Sequence, residues 1–589
     1  MADKPGDAAL TPRCTGVDRY DMIWALLLAV AFSIFYISIA QDYRTLAGYT
    51  VYDNLLFGAD HVDALQGWIN KHKGTHPLLP FLVVPLSAVF ETIAGSYELG
   101  LAVMSGCIGG LAVLLFFALS RMLVPRHSSI ALSVLFGLSM NQMVFSGLPD
   151  TYVLVAISIM PSFMLLKHGL RTGQVPVPLW IAAGVLAFSI TITTMVQMII
   201  CLSVLLTVKH RALRPLVQYA AGICAAALAI GTVLVLIQHA IFPRSQLFFE
   251  SQVYGYEMQY VWPLILEHPG AVADELIKSF WLFNFVGQDP LVVQHRPGLQ
   301  VELVYYRASV DYGWWSMAAA TLWILVYIWA AFKTFHDRTQ RAFTTAAWLC
   351  VASHLALHSF FSTDEVFLYA PHYSFIVLLT AISPASTHGA RSQRCWLAVA
   401  LLIGVANYQT HTRIVRHFGG SMPTWLIAED AQWRYFPGEQ EPPADWNQPG
   451  FDDRGWDMAQ GGFGYGDGDD RTVLAMQGRY STIYVRTTFE LSDLDQLAGV
   501  YADINYDDGF VVYLNGYRVM ERNAPPLITH QSLASSDHEG GRFERHQFPP
   551  AQLIEGTNTV AIVALNSALN SSDSSLDFRL SKIDKKKWR

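Results

Sequence analysis

Through about His411 the chain is a series of apolar runs separated by short polar stretches; from Trp425 onward the texture changes to alternation. The runs fall at about 22–40, 77–94, 99–120, 130–147, 151–166, 179–208, 216–242, 313–332, 342–361, 366–384 and 396–410. Windows of this length with few charges read as membrane helices, since about twenty apolar residues cover a ~30 Å hydrocarbon core. The long run at 179–208 must cross twice or contain a broken hairpin, with the polar Thr191 to Thr194 as the break. After Trp425 the pattern has period two: Tyr484 to Leu491, Val500 to Ile504, Gly509 to Leu514 and Thr559 to Leu565. Asn515-Gly516 between Leu514 and Tyr517 is a strong hairpin signal. The pattern predicts a polytopic α-helical membrane domain of about 10–12 spans, followed by an all-β antiparallel sandwich.

The expected organisation is a cytoplasmic tail at 1–21, a membrane domain at 22–412 with outer loops 41–76 and 243–312, a linker at 413–424, and a sandwich at 425–589. Met22 to Ala40 is long enough to stay as an uncleaved first span. Orientation follows the Lys and Arg between runs. Arg121/Arg126, Lys167/Arg171, Lys209/Arg211/Arg214, Lys333/Arg338/Arg341 and Arg391/Arg394 are expected to face the cytoplasm, which puts the carboxy-terminal domain outside. That count leaves two readings of 77–94: it dips without crossing, or the Arg121 loop breaks the rule.

Composition sharpens this. A hydrophobic fraction of 52%, 15% charge and a mean hydropathy of +0.30 lie outside ordinary soluble composition. The net charge of −8 averages two unlike halves, and no basic tract suggests nucleic acid. Six cysteines without a C-x-x-C pair predict neither disulfides nor a zinc site.

Candidate chemistry concentrates in Tyr52 to Pro85, where Asp53, Asp60, His61, Asp63, Lys71, His72, Lys73 and His76 crowd between apolar runs. Transferring a sugar to a hydroxyl needs a carboxylate to take the proton. It also needs cations where charge builds on a leaving phosphate. Asp60 with His76, Lys71, Lys73 and Arg296 or Arg307 would meet both needs. Ser362 to Glu365 and Tyr369-Ala370-Pro371-His372 could line the same cavity. The plain alternatives are solvated loop charges, a helix start at His76-Pro77, and His354 and His358 as buried polar packing. Asp60-x-x-Asp63 could also hold a divalent cation.

Thr75-His76-Pro77-Leu78, Ala94-Gly95-Ser96, Leu119-Ser120-Arg121 and Phe145-Ser146-Gly147-Leu148-Pro149-Asp150-Thr151-Tyr152 follow one another in an order that resembles the GT-C superfamily of membrane glycosyltransferases. The resemblance covers about a quarter of the chain. It implies a polyprenyl-phosphate-linked sugar donor, and an acid of the first outer loop as catalytic base or metal ligand. The matching position is Asp60, with Asp63 second. Many lipid-donor transferases have directly adjacent acids in this loop; here they are separated.

In the second half, Asp507 to Gly516, Phe451 to Trp456, Gly464 to Gly468 and Ser571 to Asp573 together resemble a galactose-binding-like jelly roll. Asp467, Asp469 and Asp470 are oxygen ligands of the type calcium takes, without EF-hand spacing. Trp433, Trp446 and Trp456 either stack on sugar rings or fill the core. The expected function is an integral glycosyltransferase of a bacterial-type inner membrane, acting on a glycan or cell-envelope acceptor outside, in contact with membrane lipid. Its competitors are a non-catalytic membrane-anchored carbohydrate-binding protein and a transporter. Transporters place ionisable groups at mid-membrane depth, unlike these helices.

Overall fold

The computed structural model describes residues 18–46, 76–209, 213–242, 268–288, 312–361, 366–418, 424–428, 430–466, 470–540 and 543–584, with short pieces between them. The main division into compact units falls between His417 and Phe418.

The first unit is helical: α1 (Arg19–Arg44), α2 (Leu79–Ala94), α3 (Tyr97–Arg121), α4 (Arg126–Leu138), α5 (Met140–Ser146), α6 (Tyr152–Thr172), α7 (Val177–Ile190), α8 (Met195–Lys209), α9 (Leu213–Ile241), α10 (Pro269–Lys278), α11 (Trp314–His336), α12 (Arg341–His358), α13 (Ala370–Leu379) and α14 (Ala390–Phe418). A two-residue strand pair, β1 (Leu291–Val292) and β2 (Val304–Tyr305), also belongs to it. Among the described residues six helices are long and apolar enough to cross a membrane, or seven if the bent pair α4–α5 is one span. That is fewer than the ten to twelve expected. Part of the difference is length: 77–94, part of 179–208 and 366–384 fold as the shorter helices Leu79–Ala94, Val177–Ile190 and Val366–Leu379, while α12 and α14, which carry the runs at 342–361 and 396–410, are not among the six either. The break at Thr191 lies where the polar residues predicted it. There Thr194 Oγ1 donates to the carbonyls of Ala187 and Thr191, both at 2.7 Å.

Helices α1 and α3 are antiparallel, pinned at opposite ends. Asp21 accepts from Arg121 Nε at 2.8 Å, and Arg44 pairs with Glu98 at 3.4 Å. The close approach needs glycine. A Cβ on Gly110 would meet the Ala29 carbonyl at 2.5 Å, and one on Gly106 the Ile37 amide at 2.9 Å. Small residues allow such packing where lipid supplies no hydrophobic drive. The chain between Arg44 and Tyr97 therefore leaves and returns at one end of the pair. At about 24 Å, α2 is shorter than the hydrocarbon core.

Helices α4 and α5 meet at 62°, with Ser139 extended between them. Breaking a membrane helix frees backbone groups that lipid cannot satisfy. Here they are met from outside the helix. Met140 N and Asn141 N donate to the carbonyls of Phe285 and Asn284 at 3.2 and 3.1 Å. Asn407 Nδ2 donates to Leu138 O at 2.8 Å and Phe285 O at 2.7 Å, while its Oδ1 accepts from Gly287 N at 2.8 Å.

The second unit is sheet-rich. Its strands are β3 (Thr424–Ile427), β4 (Gln432–Pro437), β5 (Asp457–Gln460), β6 (Phe463–Tyr465), β7 (Thr472–Val473), β8 (Thr482–Leu491), β9 (Leu497–Asp507), β10 (Gly509–Leu514), β11 (Tyr517–Arg522), β12 (Glu544–Gln547), β13 (Gly556–Leu565) and β14 (Ser574–Asp584). One sheet has the order β11-β10-β13-β8-β4-β5; the other runs β12-β9-β14-β6-β7, with β3 also on β14. All these pairings are antiparallel except β6 with β7. Asn515 and Gly516 take φ of 51° and 85°, so the hairpin turn has the two positive φ values its strand twist favours.

Both sheets contribute to one core: Val485, Phe510 and Ile562 from the first, Ile504, Phe578 and Leu580 from the second. Alternation sends Tyr484, Val511, Ala561 and Val563 to the other face of the first sheet. There Trp446 and Trp456 cover them. Trp433 is in the shared core. All three tryptophans are therefore packing residues, and the sugar-stacking alternative falls away.

Candidate functional site

The ends of several helices of the first unit bring histidines together. Helix α12 closes with His354 and His358, one turn apart on one face, their rings 6.2 Å apart and nearly parallel. A 3-10 turn at Val366–Tyr369 leads into α13, whose first turn holds Pro371 and then His372. Proline suits that position because its missing N–H has no helical partner there. The His372 ring lies 6.4 Å from His354 and 5.8 Å from Tyr152, at the start of α6. Tyr373 stacks on Phe280 at 3.8 Å and donates to Val366 O at 2.9 Å, fixing the start of α13.

His354, His358 and His372 are buried, none above 4% exposed. Gln197 of α8 places its amide nitrogen 2.9 Å from His354 Nε2. Among the described residues, the other nitrogen of that ring, Nδ1, has no hydrogen-bond partner, and neither has Nε2 of His372. His76 lies within electrostatic reach of His372. Its Nδ1 sits 2.6 Å from the Ile190 carbonyl. The next residues are docked too: Leu78 N donates to Ser189 O at 3.0 Å, and Gln238 Nε2 to Pro77 O at 2.9 Å.

Of the residues singled out from sequence, the structure places His372 beside His354 and sets His76 within electrostatic reach of it. Asp60, Asp63, Lys71, Lys73, Arg296 and Arg307 lie outside the described residues, as do Asp467 and Asp469. His354 and His358 were legible as one helical face; their nearness to His372 was not, because it depends on the turn through 359–369. Gln197 gave no sequence signal.

Among the described residues, the acids whose oxygens gather within 4.8 Å of one another are Asp507, Glu539 and Asp573, and Asp470 is not among them. Carboxylate oxygens are the donors hard divalent cations take. Burial, reinforced by the charges of Asp508, Asp573 and Glu539, pushes Asp507 up to about 7. Asp508 is held differently: its carboxylate accepts from His538 N at 2.8 Å and Ser567 N at 2.7 Å. His538 stacks on Tyr506 at 4.0 Å and faces Glu544 at 3.3 Å. The hydrogen bond to Glu544 raises His538. Burial alone would raise Glu544, but the hydrogen bonds from His538 and His546 outweigh it and bring it down to about 2.

These shifts set a pH dependence. With Asp507 titrating above its ordinary 3.8, the unfolded chain binds fewer protons between about pH 4 and 7, so stability falls as pH rises through that window. His538 acts in the same sense: its contribution is full below 6.5 and lost as pH rises through its folded value. Glu544 opposes in acid, losing its contribution as pH falls from 4.5 toward about 2. Amide exchange in β9 of the whole protein, corrected for intrinsic rate, is expected to be slower at pH 5.5 than at pH 8. Asp507→Asn should flatten the difference and stabilise the unit at pH 8 by on the order of 1–2 kcal/mol. Equal protection of the variant and the native protein at pH 8 would refute this.

No family model matches the chain, and no curated relative does. Among solved structures, the chain is similar over 67% of its length to the Archaeoglobus fulgidus oligosaccharyltransferase, covering 53% of that chain at 13% identity and a TM-score of 0.32. It is also similar over 27% of its length to Bacteroides uniformis beta-glucuronidase 2, at 14% identity and a TM-score of 0.19. A further match, over 25%, is the beta-D-mannosidase of Dictyoglomus thermophilum, at 15% identity and a TM-score of 0.15. The chain spans about a fifth of the length of these glycosidases. Similarity at this level assigns nothing, and the fold rests on the elements described above.

Proposed function

We propose that this chain is an integral membrane glycosyltransferase that takes a sugar from a polyprenyl-phosphate carrier and transfers it to a glycan or cell-envelope acceptor on the outer face of a bacterial-type inner membrane. The observation that carries the reading is the buried pair of His372 and His354, their rings 6.4 Å apart where late helices of the first unit meet. His76, half-buried at the end of the first outer loop, lies within electrostatic reach of His372. Carboxylate and basic groups must share one end of the helices for this chemistry. The resemblance of the 60–171 segment to GT-C transferases supports the same reading. In it Asp60 is the base, with Asp63 second or as ligand of a divalent cation. Lys71, Lys73, His76, Arg296, Arg307 and His372 hold the phosphate. The carboxy-terminal unit, read as a galactose-binding-like jelly roll, binds or orients the acceptor.

The test is sugar transfer from a polyprenyl-phosphate-sugar by the reconstituted protein. Asp60→Asn should lower transfer by about 10²-fold or more, the size a general base supplies, with insertion and folding intact. Full transfer by that variant removes the base assignment. A protein that transfers nothing, yet binds glycan regardless of the first outer loop, is the anchored carbohydrate-binding protein instead.

A further inference from the structure

The most unusual group outside the loop acids is the histidine cluster, because its polar atoms are left over. His354 and His372 are 3% and 4% exposed, and each keeps one ring nitrogen without a hydrogen-bond partner among the described residues. An unsatisfied buried polar atom has given up its hydration with nothing in return. Two such atoms on neighbouring rings from different helices are a costly way merely to fill space. The surroundings do not relieve them: Tyr152, Tyr369 and Tyr373 present rings at 5.5 to 5.8 Å.

Two ligand classes suit imidazole nitrogens. A tetrahedral metal ion holds its nitrogens at about 2.0–2.1 Å, and so draws them close together. Among the described residues the histidine cluster offers no three such ligand atoms within 4.8 Å of one another. A phosphoryl group instead accepts hydrogen bonds from separate oxygens at about 2.7–2.9 Å. That spans the wider spacing set by ring centres 6.4 Å apart. With Gln197 donating to Nε2, the neutral His354 ring carries its proton on Nδ1, free to donate to such an oxygen.

We propose that His354 and His372 together bind a phosphoryl group, His354 through Nδ1 and His372 through Nε2, with Gln197 fixing the ring of His354. Here His354 is a phosphate-binding residue, beyond the role the proposed transferase gives to His372. The inference rests on that reading for one point only, that the phosphoryl group is borne by a polyprenyl lipid. No covalent step is involved; the site binds and orients.

The test is equilibrium binding of a polyprenyl monophosphate, the corresponding polyprenol and inorganic phosphate to the full chain in lipid nanodiscs. The amide of Asn can stand in for Nδ1 and that of Gln for Nε2. His354→Asn and His372→Gln should therefore stay within about threefold of the native affinity. His354→Gln and His372→Asn, which move the amide off the required position, should each weaken polyprenyl phosphate binding about tenfold or more. Polyprenol binding should not change in any of them, which a merely structural role would not predict. Native affinity in His354→Gln and His372→Asn overturns the proposal, and if the native protein still transfers sugar, the transferase reading survives it. A native protein that neither binds polyprenyl phosphate nor transfers sugar loses both. Histidine-dependent binding of inorganic phosphate alone upholds the phosphoryl site and removes its lipid source. Stoichiometric zinc in the native protein that is lost in His354→Gln and His372→Asn overturns the proposal in favour of a metal.

Discussion

Replacing Asn407 by Leu is expected to destabilise the helical unit by on the order of 2–6 kcal/mol, although the two side chains are similar in size. Asn407 is fully buried on α14 and joins three backbone groups from two distant segments. One is the Leu138 carbonyl at the α4–α5 break; the others are the Phe285 carbonyl and the Gly287 amide. Phe285 O keeps a second donor in Met140 N, so its loss is tolerable. Gly287 N–H and Leu138 C=O lose the partner seen here, and neither lipid nor a leucine can replace it. Each orphan costs about 1–3 kcal/mol. Thr410→Val is the control. It lies one turn along the same helix and removes a single bond at 3.3 Å, so it should cost well under half as much. Thermal unfolding in matched detergent separates them. If both variants melt alike, the brace is not what holds the break.

The second large effect is expected at the start of α1. Asp21 has a fully buried carboxylate that accepts from Arg121 at 2.8 and 3.0 Å and from Arg126 at 2.6 Å. The Arg121 side chain is itself only 7% exposed. Asp21→Ala would leave a buried guanidinium whose remaining contact is the Val124 carbonyl at 2.7 Å. Breaking one side of a buried pair in this way costs on the order of 3–5 kcal/mol. The pair itself need not be favourable, since desolvating two charges offsets much of their attraction. Asp21→Leu combined with Arg121→Met should therefore recover much of the loss. A double variant as unstable as the sum of the single ones would show no coupling and refute the account.

Much of this architecture was legible in the sequence. Apolar runs of span length dictate helices in lipid because the backbone there has no other way to satisfy its hydrogen bonds. Thr191 to Thr194 announces a break because polar side chains offer the backbone alternative partners. Asn515-Gly516 sets its hairpin because only such residues accept two positive φ values cheaply. Fewer candidate spans emerge than the apolar runs suggested, because several runs fold as helices shorter than a crossing needs.

Tertiary structure alone decided the rest. Whether His354 meets His372 depends on how the chain turns between α12 and α13. Whether Trp446 packs or faces solvent depends on which strand passes beneath it. Asp507, not Asp470, joins the acidic group because sheet pairing sets Ser575 opposite Asp507 and so carries Asp573 close by. Periodicity along a chain fixes which face of an element is apolar. Contacts between residues far apart in sequence depend on packing, and no local pattern encodes them.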